Sequence, residues 1–173
     1  GDIILGLPSS GLHSNGFSLA RKVFQEKAGL YLGENIEELD GKLGNVLLEP
    51  TRIYVKIIQK ILSACEVKGM AHITGGGLTE NIPRVLPDNC QAVIFKDSWP
   101  VLPVFKLLER LGRIAPEEMY RTFNMGIGMV LILDREEAEK AKECCKKLQE
   151  KVYEIGYIGP GEKAVSYKEG KGL

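Results

Sequence analysis

Ser9 to Gly16, SSGLHSNG, puts three serines, two glycines, a histidine and an asparagine into eight consecutive positions. These residue types suit the holding of a phosphate or another anionic oxygen group. Gly11 and Gly16 let the backbone approach a ligand closely. Ser9, Ser10, Ser14 and Asn15 supply neutral hydrogen-bond donors, and His13 a switchable one. A second stretch, HITGGGLTEN, repeats the style with His72, Thr74, Gly75, Gly76, Gly77, Glu80 and Asn81. A third, RTFNMGIG, carries Arg121, Asn124 and two glycines. Both histidines of the chain therefore stand beside glycine-rich loops.

The chemistry that these loops leave out is as informative. None ends in the Gly-Lys-Ser/Thr of a nucleotide P-loop, and the glycine spacing does not fit the dinucleotide fingerprint. Ser10 and Ser14 lie near His13, but no nucleophile elbow frames them. The four cysteines, Cys65, Cys90, Cys144 and Cys145, show no CxxC pair and no zinc spacing, so reduced thiols and no metal site are expected. The aromatics are not interleaved with a basic stripe, which argues against a platform for single-stranded nucleic acid.

The elements around the loops explain how such residues can be positioned. DIILGL, Asp2 to Leu7, reads as a strand that Pro8 ends, and a helix is expected from Asn15 to Ala28 with Phe17, Ala20, Val23 and Phe24 on one side. The first loop thus runs from a strand to a helix N-terminus, where unpaired amides and the helix dipole favour negative charge. The second loop does the same, from the strand GMAHIT to a helix capped by Thr79. Residues 29–48 read as a long polar surface excursion.

EPTRIYVKIIQKILSAC reads as a well-buried helix with Pro50 in its first turn and an apolar stripe of Ile53, Ile57, Ile58, Ile61, Leu62 and Cys65. CQAVIFK is a strand, WPVLPVFKLLERLG and PEEMYRTFN are helices, and NMGIGMVLIL is a strand entered through glycines. DREEAEKAKECCKKLQEK is a helix with a capping box of Asp134 and Glu137 and a stripe of Ala138, Ala141, Cys145, Leu148 and Val152. VYEIGYIG and KAVSYK are final strands, and the tail EGKGL is expected to fray. This order predicts a mixed sheet covered by helices, an α/β chain with α+β character, and not a bundle or a sandwich.

The chain has 173 residues, enough for one domain, 1–173, with a real core. Lys plus Arg equals Asp plus Glu, 23 against 23, so no global field draws in nucleic acid. No stretch approaches the roughly 18 apolar residues of a membrane span. The start, GDIILGLP, lacks the length and flanks of a signal peptide and has no initiator Met, as in a fragment or a processed product.

SSGLHSNGFSLARKV, HITGGGLTENIPRVLP and EEMYRTFNMGIGM closely resemble the C-terminal half of the phosphoribosylformylglycinamidine cyclo-ligase family, also called aminoimidazole ribonucleotide synthetases. The resemblance covers essentially the whole chain. It implies a three-layer α-β-α domain around a mixed, partly ferredoxin-like sheet. It implies an ATP-dependent ligase of purine biosynthesis, cytoplasmic, closing formylglycinamidine ribonucleotide to aminoimidazole ribonucleotide with release of ADP and phosphate. ATP and magnesium would be bound mainly by an N-terminal domain absent from this chain, which would also form a homodimer core, and the isolated domain would be inactive. By similarity His72 is the candidate for acid/base work or for stabilising an iminophosphate. Ser10, Gly11, His13, Ser14, Asn15 and Gly16 would hold substrate or phosphate. Thr74, Gly75, Gly76, Gly77 and Asn81 would shape the facing wall, joined by Asn124, with Arg121 as a substrate or ion-pair residue. The alternatives are a non-catalytic phosphate-binding or assembly module on the same scaffold, or a relative such as selenophosphate synthetase, thiamine-monophosphate kinase or formylglycinamidine ribonucleotide synthetase.

Overall fold

In the computed structural model, which describes residues 1–170, β-branched and leucine-rich runs form a six-stranded mixed sheet. In chain order the elements begin with β1 (Ile3–Pro8), α1 (Phe17–Arg21) continued by a π-helical turn (Lys22–Lys27), β2 (Asn35–Ile36), β3 (Gly41–Lys42) and α2 (Leu43–Leu47). There follow α3 (Val55–Ala64), β4 (Gly69–His72), α4 (Gly77–Asn81) with a 3-10 turn to Val85, and β5 (Cys90–Phe95). The chain continues with α5 (Pro103–Gly112), α6 (Pro116–Thr122), β6 (Ile127–Leu133), α7 (Arg135–Lys147), β7 (Tyr153–Pro160) and β8 (Val165–Lys168).

The sheet order is β4-β6-β1-β7-β5-β8, antiparallel except for the parallel β5–β8 pair. Period-two alternation gives the sheet two apolar faces. Ile4, Val130, Ile132, Ala92 and Ile94 turn toward the core shared with α1, α4, α5 and α6. Ile3, Leu5, Leu7, Leu131 and Leu133 turn the other way, toward α3 and α7. The result is the expected three-layer arrangement.

β1 and β4 are both antiparallel to β6 and therefore run parallel to each other. Their carboxyl ends, Pro8 and His72, lie at one end of the sheet, where β6 begins. One strand separates them, so the two loops leave the sheet about 10 Å apart, twice the strand spacing. β6 carries one extra residue there: Leu7 pairs with Met129 and Pro8 with Ile127, so Gly128 has no partner in β1. A bulge of this kind re-aims neighbouring groups at a sheet rim.

Several local expectations are corrected. Residues 51–54 are not helical, and Pro50 lies outside α3, so this segment runs as irregular chain across the end of the sheet. Ile53 is 81% exposed and Leu62 is also exposed, leaving Ile57, Ile61 and Cys65 as the buried stripe of α3. Residues 29–48 are not a plain surface excursion: Ile36, Leu43 and Leu47 anchor β2, β3 and α2 to the core. Thr79 does not cap α4, because its hydroxyl reaches Tyr120 O and the Tyr167 hydroxyl instead. Asp134 does cap α7, accepting from Glu137 N at 2.9 Å, but the Glu137 carboxylate reaches Glu66 N rather than returning the bond. Leu148 is exposed beyond the buried stripe of α7. In the tail, Glu169 and Gly170 bond Lys96 and Asp97, and residues 171–173 lie outside the described residues.

Candidate active site

The two glycine-rich loops face each other across the start of β6. Asn15 Oδ1 lies 4.0 Å from the space that a Cβ on Gly75 would fill. The first i→i−4 bonds are Ala20 N to Gly16 O in α1 and Glu80 N to Gly76 O in α4, each 2.9 Å. The amides of Phe17, Ser18 and Leu19, and of Leu78 and Thr79, precede those bonds and have no helical acceptor. Gly77 N is already used, turned onto Thr74 O at 3.0 Å.

Each loop is braced from within by a buried carboxamide. Asn124, fully buried, donates from Nδ2 to Gly11 O and accepts on Oδ1 from the Ser9 hydroxyl and Gly126 N, all within 2.9 Å. Asn81 donates from Nδ2 to the carbonyls of Thr74, Gly75 and Gly77 and accepts from the Thr74 hydroxyl. Removing either would leave several buried polar groups without partners. The third loop thus enters the site from below, through Asn124.

His13 is also turned inward. It is 5% exposed and adopts a left-handed backbone, with φ of 56°. Its Nε2 accepts from Ser10 N at 3.1 Å and, more weakly, from Arg52 N at 3.4 Å. An accepting Nε2 leaves the proton on Nδ1, which is buried without a partner among the described residues. Burial first, then the positive charges of His72 and Arg52, push its pKa down to about 4. His13 is therefore held neutral, and it ties loop one to residues 50–54.

Those residues, which sequence reasoning assigned to a helix, form the third wall. The Ser10 hydroxyl donates to Pro50 O at 2.6 Å, and the Ser14 hydroxyl lies 3.5 Å from that of Thr51. Arg52 donates to Pro8 O at 3.0 Å, pairs with Glu150, and lies 5.2 Å from the centre of the Tyr54 ring. Tyr54 donates to Pro8 O at 2.8 Å. Its ring neighbours both imidazoles, with centres 6.2 Å from His13 and 6.1 Å from His72.

Unlike His13, His72 is exposed at the end of the edge strand β4. Ser14 and Gly75 are also exposed, and Asn15, Gly16, Thr74 and Gly76 are half-exposed. Gly11, His13, Gly77, Asn81 and Asn124 are buried. Arg121, on the outer side of α6, pairs with Glu80 at 2.8 Å. The structure therefore brings the proposed residues of both loops together and divides them into an accessible set and a bracing set. The accessible set offers an imidazole, a hydroxyl and a carboxamide at the end of the sheet where the two loops meet.

All four cysteines are free, and burial raises the thiol pKa values of Cys65 and Cys145, the latter to about 11. Among the described residues no group of three or more His, Cys, Asp or Glu side chains could hold a metal ion, and no helix is long and apolar enough to cross a membrane.

A family profile described as AIR synthase related protein, C-terminal domain, matches residues 1–168. The phosphoribosylformylglycinamidine cyclo-ligase of Syntrophotalea carbinolica is 57% identical over 91% of this chain and 45% of its own length. That of Brevibacillus brevis is 53% identical over 96% of this chain and 48% of its own length. The chain thus spans about half the length of these curated relatives. Thiamine-monophosphate kinase from Stenotrophomonas maltophilia superposes with a TM-score of 0.63 at 16% identity, over 97% of this chain and 50% of that one. The hydrogenase maturation protein HypE gives 0.60 at 15%, over 98% and 50%, a likeness of fold alone.

Proposed function

We propose that this chain, which belongs to the AIR synthase related family as its C-terminal domain, is the substrate-side half of an ATP-dependent cyclo-ligase. In this reading it converts formylglycinamidine ribonucleotide to aminoimidazole ribonucleotide with ADP and phosphate, in purine biosynthesis in the cytoplasm. The observation that carries the site is the convergence of two strand-to-helix loops, at Asn15 and Gly75, beside the exposed imidazole of His72. The identity of 53–57% to curated cyclo-ligases favours this reaction over that of the thiamine-monophosphate kinases, which share the fold at 16%.

The amide oxygen of the substrate would attack the terminal phosphorus of ATP, and ADP would leave. The amidine nitrogen would then attack the activated carbon, lose a proton, and expel phosphate as the carbon–oxygen bond breaks. Ser14, Asn15 and the free amides beyond Gly16 would hold the ribose phosphate or the transferred phosphoryl group, where catalysis is mostly placement and charge stabilisation. Thr74, Gly75 and Gly76 would form the opposite wall. His72 would take the nitrogen's proton or donate to the developing oxyanion. Ser10, Gly11, His13, Gly77, Asn81 and Asn124 would act by holding the loops, and Arg121 by pairing with Glu80.

Among the described residues no group of three or more His, Cys, Asp or Glu side chains could by itself hold a magnesium ion, and no step here is routed through the ion. In this reading an N-terminal half supplies the ATP and metal site and the homodimer contacts, and the isolated domain does not turn over. The test is turnover of formylglycinamidine ribonucleotide by the full-length polypeptide that carries this domain, with thiamine monophosphate as a competing substrate. His72→Ala is expected to lower kcat by about 100-fold or more. Turnover of thiamine monophosphate in place of the ribonucleotide would overturn the reading.

A further inference from the structure

We propose that Tyr54 is the positioning residue of this site, fixing the orientation of the His72 imidazole through its ring. The inference rests on the reading of His72 given above.

An imidazole at the exposed end of an edge strand is free to change rotamer unless a neighbour confines it. For His72 that neighbour is Tyr54, whose ring meets it edge-on, with centres 6.1 Å apart and planes at 62°. Tyr54 is itself buried, 7% exposed, and precedes the first turn of α3. Its hydroxyl donates to Pro8 O, and the His13 ring also lies edge-on to it, with centres 6.2 Å apart. The guanidinium of Arg52, also bonded to Pro8 O, lies over its ring.

The seat for this ring is built at Gly128, the extra residue of the β6 bulge. A Cβ on Gly128 would lie 2.0 Å from the Tyr54 hydroxyl oxygen and 2.6 Å from His13 Cε1. Only a glycine there lets the phenol reach Pro8. Ile73 N bonds Gly128 O at 2.9 Å, so the same residue holds the chain one step beyond His72. Burial raises the phenol's pKa to about 12, so the hydroxyl remains a neutral donor across the working range. Tyr54 and its seat thus connect the end of β1, loop one and the end of β4, and the exposed edge of the device is His72.

The test is steady-state kinetics of the full-length polypeptide with formylglycinamidine ribonucleotide and ATP. Tyr54→Leu removes the ring and is expected to lower kcat about 10- to 100-fold, as misplacement of a reacting group does, with little change in KM. Tyr54→Phe, which keeps the ring, is expected to restore most of that loss. In a His72→Ala background Tyr54→Leu is expected to cause no further loss, because it acts through the missing imidazole. Losses that multiply in the double variant, or an unchanged kcat in Tyr54→Leu, would overturn the inference alone. An unchanged kcat in His72→Ala would overturn the reading of His72 and this inference with it. If Tyr54→Leu does not accumulate as folded protein, Tyr54→Met takes its place under the same expectations.

Discussion

Asn15 and Gly75, sixty residues apart in sequence, meet where the two loops converge, with the Asn15 carboxamide oxygen 4.0 Å from the space that a Gly75 side chain would take. Gly75 needs no left-handed backbone, and its Cβ position meets no other neighbour. Gly75→Leu is therefore expected to fold normally, with stability within about 0.5 kcal/mol of the parent. It should also crowd the Asn15 carboxamide, raising KM for the nucleotide. Thermal unfolding and kinetics on one preparation check both halves.

Gly77 makes the opposite case. Its φ is +56°, and an added Cβ would lie 2.1 Å from Tyr120 O. Gly77→Ala is expected to cost about 2–4 kcal/mol, from backbone strain together with displacement of α6. Denaturant unfolding of Gly77→Ala and Gly75→Leu side by side would separate a structural glycine from one at the exposed meeting of the loops.

How much of this was legible in the sequence can be read from these residues. Glycine-rich runs after β-branched strands announced the loops, because few other roles combine that composition with that position. The inward turn of Asn81 and Asn124 was not legible. A carboxamide beside glycines reads alike whether it faces a ligand or the carbonyls of its own loop. Residues 51–54 were missed for another reason. Ile53 extends the apolar period of α3 backward, so the run RIYVKII looked helical, whereas Tyr54 is used against the rim of the sheet. The sheet order was also hidden, since β1 lies in the interior and β4 at an edge through crossovers that local pattern does not encode.

The buried carboxamides give a second prediction about stability. Asn124→Ala leaves Gly11 O, Gly126 N and the Ser9 hydroxyl without their partner. A loss of about 2–4 kcal/mol is expected from that many unsatisfied buried groups. Asn124→Asp keeps the two accepted bonds and should lose less. Equal losses in the two variants, measured by urea unfolding, would contradict the bracing part given to Oδ1.

His13 predicts a pH dependence. Its pKa is lowered to about 4 in the folded chain, against 6.5 for a free imidazole. The unfolded chain binds a proton between those values while the folded chain does not, so stability rises with pH there. The contribution is fully present above pH 6.5 and is lost as pH falls toward 4. The size expected is up to about 3 kcal/mol at 1.36 kcal/mol per unit. In His13→Gln, whose side-chain oxygen can accept the same amides, this part of the slope should disappear. Urea midpoints from pH 7 to 4 in both proteins check it.

The most direct measurement is a crystal structure of the full-length polypeptide with formylglycinamidine ribonucleotide. The account predicts the nucleotide over the rim where Asn15 and Gly75 meet. An anionic oxygen should lie within about 3 Å of the Ser14 or Asn15 side chain or of the amides beyond Gly16, with the His72 ring at the reacting end. Nucleotide bound elsewhere, for example in the groove between α3 and α7 lined by Lys60, Lys140 and Lys147, with only water over Asn15 and Gly75, would contradict it.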